Sequence, residues 1–306
     1  MTGDGASAFI PVASPVHPSR LLMFPRARKV VERLGRRRFL ALVVGCVALS
    51  VGFGCGGARA RRDVSPETAR QELALRGIPF REKNFVQSAT HGDEWAVRLF
   101  LAAGMSPGVR DEAGQTPLLA AAGAEHYKLV RLMLAHKPDV NVRDRHGLTP
   151  LLHAVSDEEA EIVRLLAGRG ADLNAPDRDG WTPLHFAAAS VNAEIARTLV
   201  ESGANVSALD NSGATPLQWA AFYDRAETAR VLLERGADAN AVNKVGGTPL
   251  MIAAARGHAD MVSILFAAGA KPELRDERKK TAADWAAESG HDELARTLKQ
   301  AESEGR

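Results

Sequence analysis

The side chains that could do chemistry in this chain of 306 residues are nine histidines, two cysteines and a large set of carboxylates. A zinc hydrolase would place histidines four apart, as His-Glu-x-x-His, on one helix face; no two histidines here have that spacing. His91, His136 and His146 are isolated. Both cysteines, Cys46 and Cys55, precede residue 61. The remainder can therefore hold no disulfide, no thiolate metal site and no cysteine nucleophile, and it suits an oxidising compartment. The glycines of Gly54-Cys55-Gly56-Gly57 end an apolar leader, so they are not read as a phosphate cradle. Carboxylates gather at Asp157, Glu158, Glu159 and Glu161. A catalytic pair needs a cleft and a shifted pKa, neither of which spacing alone supplies, so this run reads as a solvated face. The expectation is no catalytic residue, no cofactor and no metal: a protein that is not an enzyme.

The formal net charge of +2 hides an asymmetry. Residues 1–60 hold nine basic and two acidic residues, hence +7; residues 61–306 hold thirty and thirty-five, hence −5. The basic excess lies in the leader, so nucleic acid is not an expected partner. Residues 39–58 carry no charge and follow Arg36, Arg37 and Arg38. A positive stretch, an apolar run and small residues after it are the parts of a secretory signal, and a run of about 20 residues could also span a bilayer. Arg36-Arg37-Arg38-Phe39-Leu40 resembles the twin-arginine export signal of bacteria, with Gly35 where that family has Ser or Thr and Ala41 where it has Lys. General secretion stays open beside it. Three outcomes compete: cleavage after Ala60, in Ala58-Arg59-Ala60; lipid attachment at Cys55; or an uncleaved anchor. Each places the body across the membrane from the arginines, which predicts a periplasmic protein, with the membrane touched only by the leader or a lipid. Met23 is a second candidate start. The expected division is 1–38 basic, 39–60 apolar signal or anchor, 61–77 lead-in and 78–303 folded domain.

The body repeats every 33 residues. Thr-Pro-Leu recurs from Thr116, Thr149, Thr182, Thr215 and Thr248, and Thr281 keeps the phase without the proline. Asp or Asn stands five before each Thr and Ala five after it. A degenerate unit around Lys83, Phe85, Ser88 and Gly92 makes about seven in all. The Asp and Gly positions suit a tight turn. Thr caps a helix and Pro fits its first position. A second helix ends at Gly104, Gly170, Gly203, Gly236 and Gly269, as C-caps require. Lys137 holds that position in one unit, where a left-handed backbone costs about 1 kcal/mol.

This unit resembles the ankyrin repeat, a turn and two antiparallel helices stacked into a solenoid. The resemblance implies an all-α ankyrin solenoid of about seven 33-residue units, in which no unit buries its apolar face alone. The charged unit from Lys279 resembles a terminal cap. His185, His258 and His291 fall at phases where the family uses histidine structurally, and Trp219 and Trp285 at a phase it buries.

Ankyrin arrays bind proteins through turn tips and the exposed face of the first helices. The positions seven and eight past Thr are Gly123/Ala124, Ser156/Asp157, Ala189/Ser190, Phe222/Tyr223, Ala255/Arg256 and Glu288/Ser289. The position before Thr holds Gln115, Leu148, Trp181, Ala214, Gly247 and Lys280. Trp, Tyr and Arg dominate binding hot spots, so the expected patch is Trp181, Phe222, Tyr223 and Arg256, with Arg178 and Lys244 on the turn tips. The expected partner is an unidentified protein, met by a chain that is monomeric when unbound. The first functional reading is an interaction module of the cell envelope. The alternative is an immunity or inhibitor protein neutralising a secreted toxin or effector enzyme, which the acidic body would suit if that partner is basic. A host-directed effector is weakened by the export signal.

Overall fold

A computed structural model describes residues 64–304. The leader positions Arg36, Arg37, Cys55 and Ala60 lie outside the described residues. Among those described, all regular structure is helical, as the repeat predicts. One leading helix, α1 (Pro66–Leu75), precedes seven pairs. The first members are α2 (Glu82–Thr90), α4 (Pro117–Gly123), α6 (Pro150–Ser156), α8 (Pro183–Ala189), α10 (Pro216–Phe222), α12 (Pro249–Arg256) and α14 (Ala282–Glu288). The second members are α3 (Glu94–Ala102), α5 (Tyr127–Leu134), α7 (Ala160–Ala167), α9 (Ala193–Glu201), α11 (Ala226–Glu234), α13 (Ala259–Ala267) and α15 (Asp292–Glu304). First helices pack on first helices of the adjoining unit, and second on second from α5 to α13. The core is thus a column of thin layers, in which alanines such as Ala121, Ala154, Ala187, Ala220 and Ala253 are wholly buried.

Each unit from the second onward begins with a turn closed by its Asp or Asn. Asp177 Oδ1 accepts the N–H groups of Asp179 and Trp181, both at 2.9 Å. Gly180 follows with φ +80°, and a Cβ there would meet Asn211 of the next turn at 2.7 Å. Glycine is required by conformation and by space at once. Thr149 then caps α6, its Oγ1 accepting from the Leu152 N–H at 3.2 Å, with Pro150 at the first helical position. At the far end, Lys137 takes φ +51° where its counterparts are glycine, and Lys279 takes φ +65° where the last turn lacks one.

Three turn residues reach a donor nine positions on. Asp210 accepts the Trp219 indole N–H at 2.8 Å, Asp276 that of Trp285 at 3.0 Å, and Asp144 lies 3.1 Å from His153 Nε2. Burial alone would raise the Asp144 carboxyl. The bonds from His153, Leu148 and His146 outweigh it and hold it below the usual carboxylate range. In the unit where Ile252 replaces that donor, the turn residue is Asn243, and its buried Nδ2 has no hydrogen bond.

The boundary at 78 moves. Within the segment read as a lead-in, α1 packs on α3 as the second helix of a preceding unit would, burying Ala69 and Leu73. Arg76 lies 3.7 Å from the Trp95 ring centroid. The degenerate first unit is helical at α2, with Phe85 buried and its ring 5.1 Å from Phe100.

Candidate protein-interaction surface

The aromatic residues around the fourth and fifth units form one connected stack. Trp181 and Trp219 have centroids 4.4 Å apart, and Trp219 reaches Phe222 at 5.6 Å and Tyr223 at 6.0 Å. Phe222 and Tyr223 meet edge to face at 5.0 Å. The inner end is core: Trp219 is 1% exposed and Trp181 is 4%. The outer end is surface: Phe222 and Tyr223 are half-buried and Arg256 is exposed. The Arg256 guanidinium lies 3.5 Å from the Phe222 ring centroid, and that of Arg225 5.9 Å from Tyr223. Burial against these rings lowers the Arg256 pKa, with Tyr223 opposing the shift. A cation over an aromatic face contributes about 0.5–1 kcal/mol where exposed. Tyr223 caps α10 at its C-terminal end.

The structure therefore joins Phe222, Tyr223 and Arg256, and corrects the placement of Trp181, which belongs to the core behind them. The turn at Gly180 lays its indole against Phe186, at 5.2 Å, and Trp219. Ala214, at the same phase one unit on, is fully buried. Arg178 and Lys244 are exposed on the row of turn tips. Each reaches back one unit: Arg178 donates to the Arg145 carbonyl, and Lys244 Nζ to that of Asn211 at 2.8 Å.

Ala189 and Ser190 were expected at the surface by phase, and both are buried. The cause is Val191. Its counterparts Glu125, Glu158, Asp224, Gly257 and Gly290 have φ between +56° and +82°. A β-branched residue resists that region. Ser190 is instead extended, with ψ 156°, and Val191 is left 55% exposed. The acidic run is also corrected from a solvated face. Asp157 accepts from the Tyr127 hydroxyl at 2.6 Å, Glu158 from that of Ser190 at 2.8 Å, and Glu161 pairs with Arg131 at 2.5 Å. These are contacts between units, and only Glu161 is exposed.

His126, His153, His185 and His291 support the fold. His185 is fully buried; its Nδ1 accepts the Thr182 N–H at 3.1 Å, so Nε2 donates to the Ala214 carbonyl, also at 3.1 Å. Gln218 repeats the device one unit on, accepting from Thr215 N–H at 2.8 Å and donating to Gly247 at 2.6 Å. The His126 ring lies over Gly92 and bonds the Thr90 carbonyl at 3.1 Å; that of His291 lies over Gly257. His258 is half-buried, which lowers its pKa against the opposing pull of Asp224. Among the described residues, no three His, Cys, Asp or Glu side chains group as metal ligands, and no helix is long and apolar enough to cross a membrane. The expectation that the chain holds no G-x-S-x-G string is wrong: Gly104-Met105-Ser106-Pro107-Gly108 has the spacing of a serine nucleophile elbow. It follows α3, whereas an elbow follows a strand, and Ser106 Oγ accepts the Gly108 N–H at 3.3 Å. It is a turn.

No curated protein matches the chain in comparison. The sequence model of a family described as ankyrin repeats (three copies) matches residues 85–177, 169–243 and 235–305, which is most of the chain. Ankyrin repeats are protein–protein interaction modules, and the fold is a scaffold for contact. With turn, capped helix, second helix and C-cap recurring in register through the same residues, the chain belongs to the ankyrin repeat family.

Proposed function

We infer that this protein is a non-catalytic interaction module of the cell envelope, exported by its leader and centred on Phe222, Tyr223 and Arg256. The observation that carries this is the half-exposed aromatic and guanidinium cluster seated on the Trp181–Trp219 core. Such a surface is rigid before binding, so little ordering entropy is lost on contact. The residue types are those that dominate hot spots. The partner is a protein, the unbound chain is a monomer, and export is supported by Arg36 to Ala60 alone.

Affinity purification of the C-terminally tagged chain from an envelope fraction tests this. A stoichiometric partner is expected, with its recovery reduced about tenfold or more by Phe222→Ala with Arg256→Glu, as the loss of one hot spot implies. Undiminished recovery by a folded double variant overturns the site. The N-terminal peptide of the same sample reads the leader: a start after Ala60, a lipid on Cys55, or neither.

A further inference from the structure

We propose that Arg256 receives the side-chain carboxylate of an aspartate or glutamate of a partner protein, whose neighbouring apolar side chain rests on Phe222 and Tyr223. This rests on the protein-binding reading above and gives that site its partner chemistry. Arg256 differs from the arginines that the fold itself uses. Arg131, Arg164 and Arg235 each pair with a carboxylate of an adjoining unit. Arg178 and Arg225 donate to backbone carbonyls. Arg256 has no hydrogen bond and no ion pair among the described residues. Its guanidinium lies 3.5 Å from the Phe222 ring centroid, and burial there disfavours its charge. A ring over one face leaves the planar fork of N–H donors available, and that fork matches the two oxygens of a carboxylate. A partly desolvated cation without a counter-anion is stabilised by the anion that docks on it.

The charge around it selects a monoanion. The exit of α8, residues 190–192, carries no ionised side chain. The exit of α10 carries Asp224 and Arg225, that of α12 Arg256, and that of α14 Glu288. Glu288 is bonded by Lys280, Asp224 faces His258 at 3.9 Å, and Arg225 Nε donates to the Ala189 carbonyl at 3.0 Å. With histidines neutral, three cations stand against two anions, hence +1, and Arg256 is the cation left without a partner. One carboxylate completes the site. A phosphoryl group, at −1.5 to −2, would overfill it between Asp224 and Glu288. The apolar half is the pair Phe222 and Tyr223, half-buried and edge to face at 5.0 Å. Both rest on Trp219, so the surface keeps its form before contact.

The test is selection of displayed random peptides on the immobilised full-length chain, followed by titration of the enriched sequences as synthetic peptides. These should carry Asp or Glu beside a large apolar residue and bind the Arg256→Gln chain about tenfold or more weakly. Changing that Asp or Glu to its amide should cost as much. Both changes together should cost little more than one, because they remove a single contact. A peptide with Lys in that place should bind Arg256→Glu better than the parent chain. Circular dichroism melts confirm that each variant is folded. Peptides lost on Phe222→Ala yet held undiminished by Arg256→Gln overturn the carboxylate pairing and leave the site standing. So does a phosphoserine version that binds more tightly than the glutamate original. Peptides held undiminished by the folded Phe222→Ala, Arg256→Gln double variant overturn the pairing and the site together, as does a library that enriches nothing.

Discussion

His185 is held neutral in one tautomer between Thr182 and Ala214, and burial lowers its pKa. An unfolded histidine titrates near ~6.5. The folded value lies below that, so its contribution is fully present above pH ~6.5 and is lost as pH falls through the window below it. One proton sets the limit, about 1.4 kcal/mol per pH unit. Gln218 makes the same two bonds without a titrating group. His185→Gln should therefore match the parent in urea unfolding at about pH 7.5 and lose less stability at about pH 5.5. His258, also lowered, is common to both proteins and cancels. At this scale the sequence is legible where a residue's partner is local. The roles of His185, Trp219 and Trp285 follow from their phase. Trp181 does not, because its environment is made by Trp219 in the next unit, 38 residues on. The partners of Asp157 and Glu158 lie about one unit away for the same reason.

At the scale of the element, the unit is legible because its turn and caps demand particular residue types at fixed phases. Exceptions show which demand is strict. Lys137 tolerates φ +51° at a helix end where a Cβ in its glycine counterparts would meet nothing. Lys137→Gly should stabilise by up to about 1 kcal/mol, the left-handed penalty removed. Gly180 carries φ +80° and the contact with Asn211 as well. Gly180→Ala should destabilise by more than that same penalty of about 1 kcal/mol, since two turns must part. Thermal unfolding of both variants reads the difference in sign. Val191 is the third exception. It cannot take the left-handed exit, so the chain there leaves extended and Ser190 turns inward to Glu158. Nothing in the 33-residue spacing signals this; the side-chain branching does.

Across the whole molecule, stability is a sum over neighbours. The segment read as a lead-in forms α1, which lacks the Thr-Pro-Leu turn and so escapes the periodicity. Leu73 is its fully buried anchor. Leu73→Ala should cost about 2–5 kcal/mol locally. Hydrogen exchange should rise in α1 to α3 while the units from α8 onward keep their protection, a pattern that a single cooperative core would not give. The aromatic cluster occupies the exits of α10 and α12, at the junction of the fifth and sixth units.

The pairing of Trp181 with Trp219 has a spectroscopic consequence. Two indoles 4.4 Å apart and inclined at 56° couple their electronic transitions. The couplet they produce in circular dichroism arises at one place, the junction of the fourth and fifth units. Trp95 and Trp285 stand at opposite ends of the array and contribute as isolated chromophores. The protein thus carries its own optical gauge of that junction. Loss of the couplet ahead of the helical signal would time the parting of two particular layers, with no label attached.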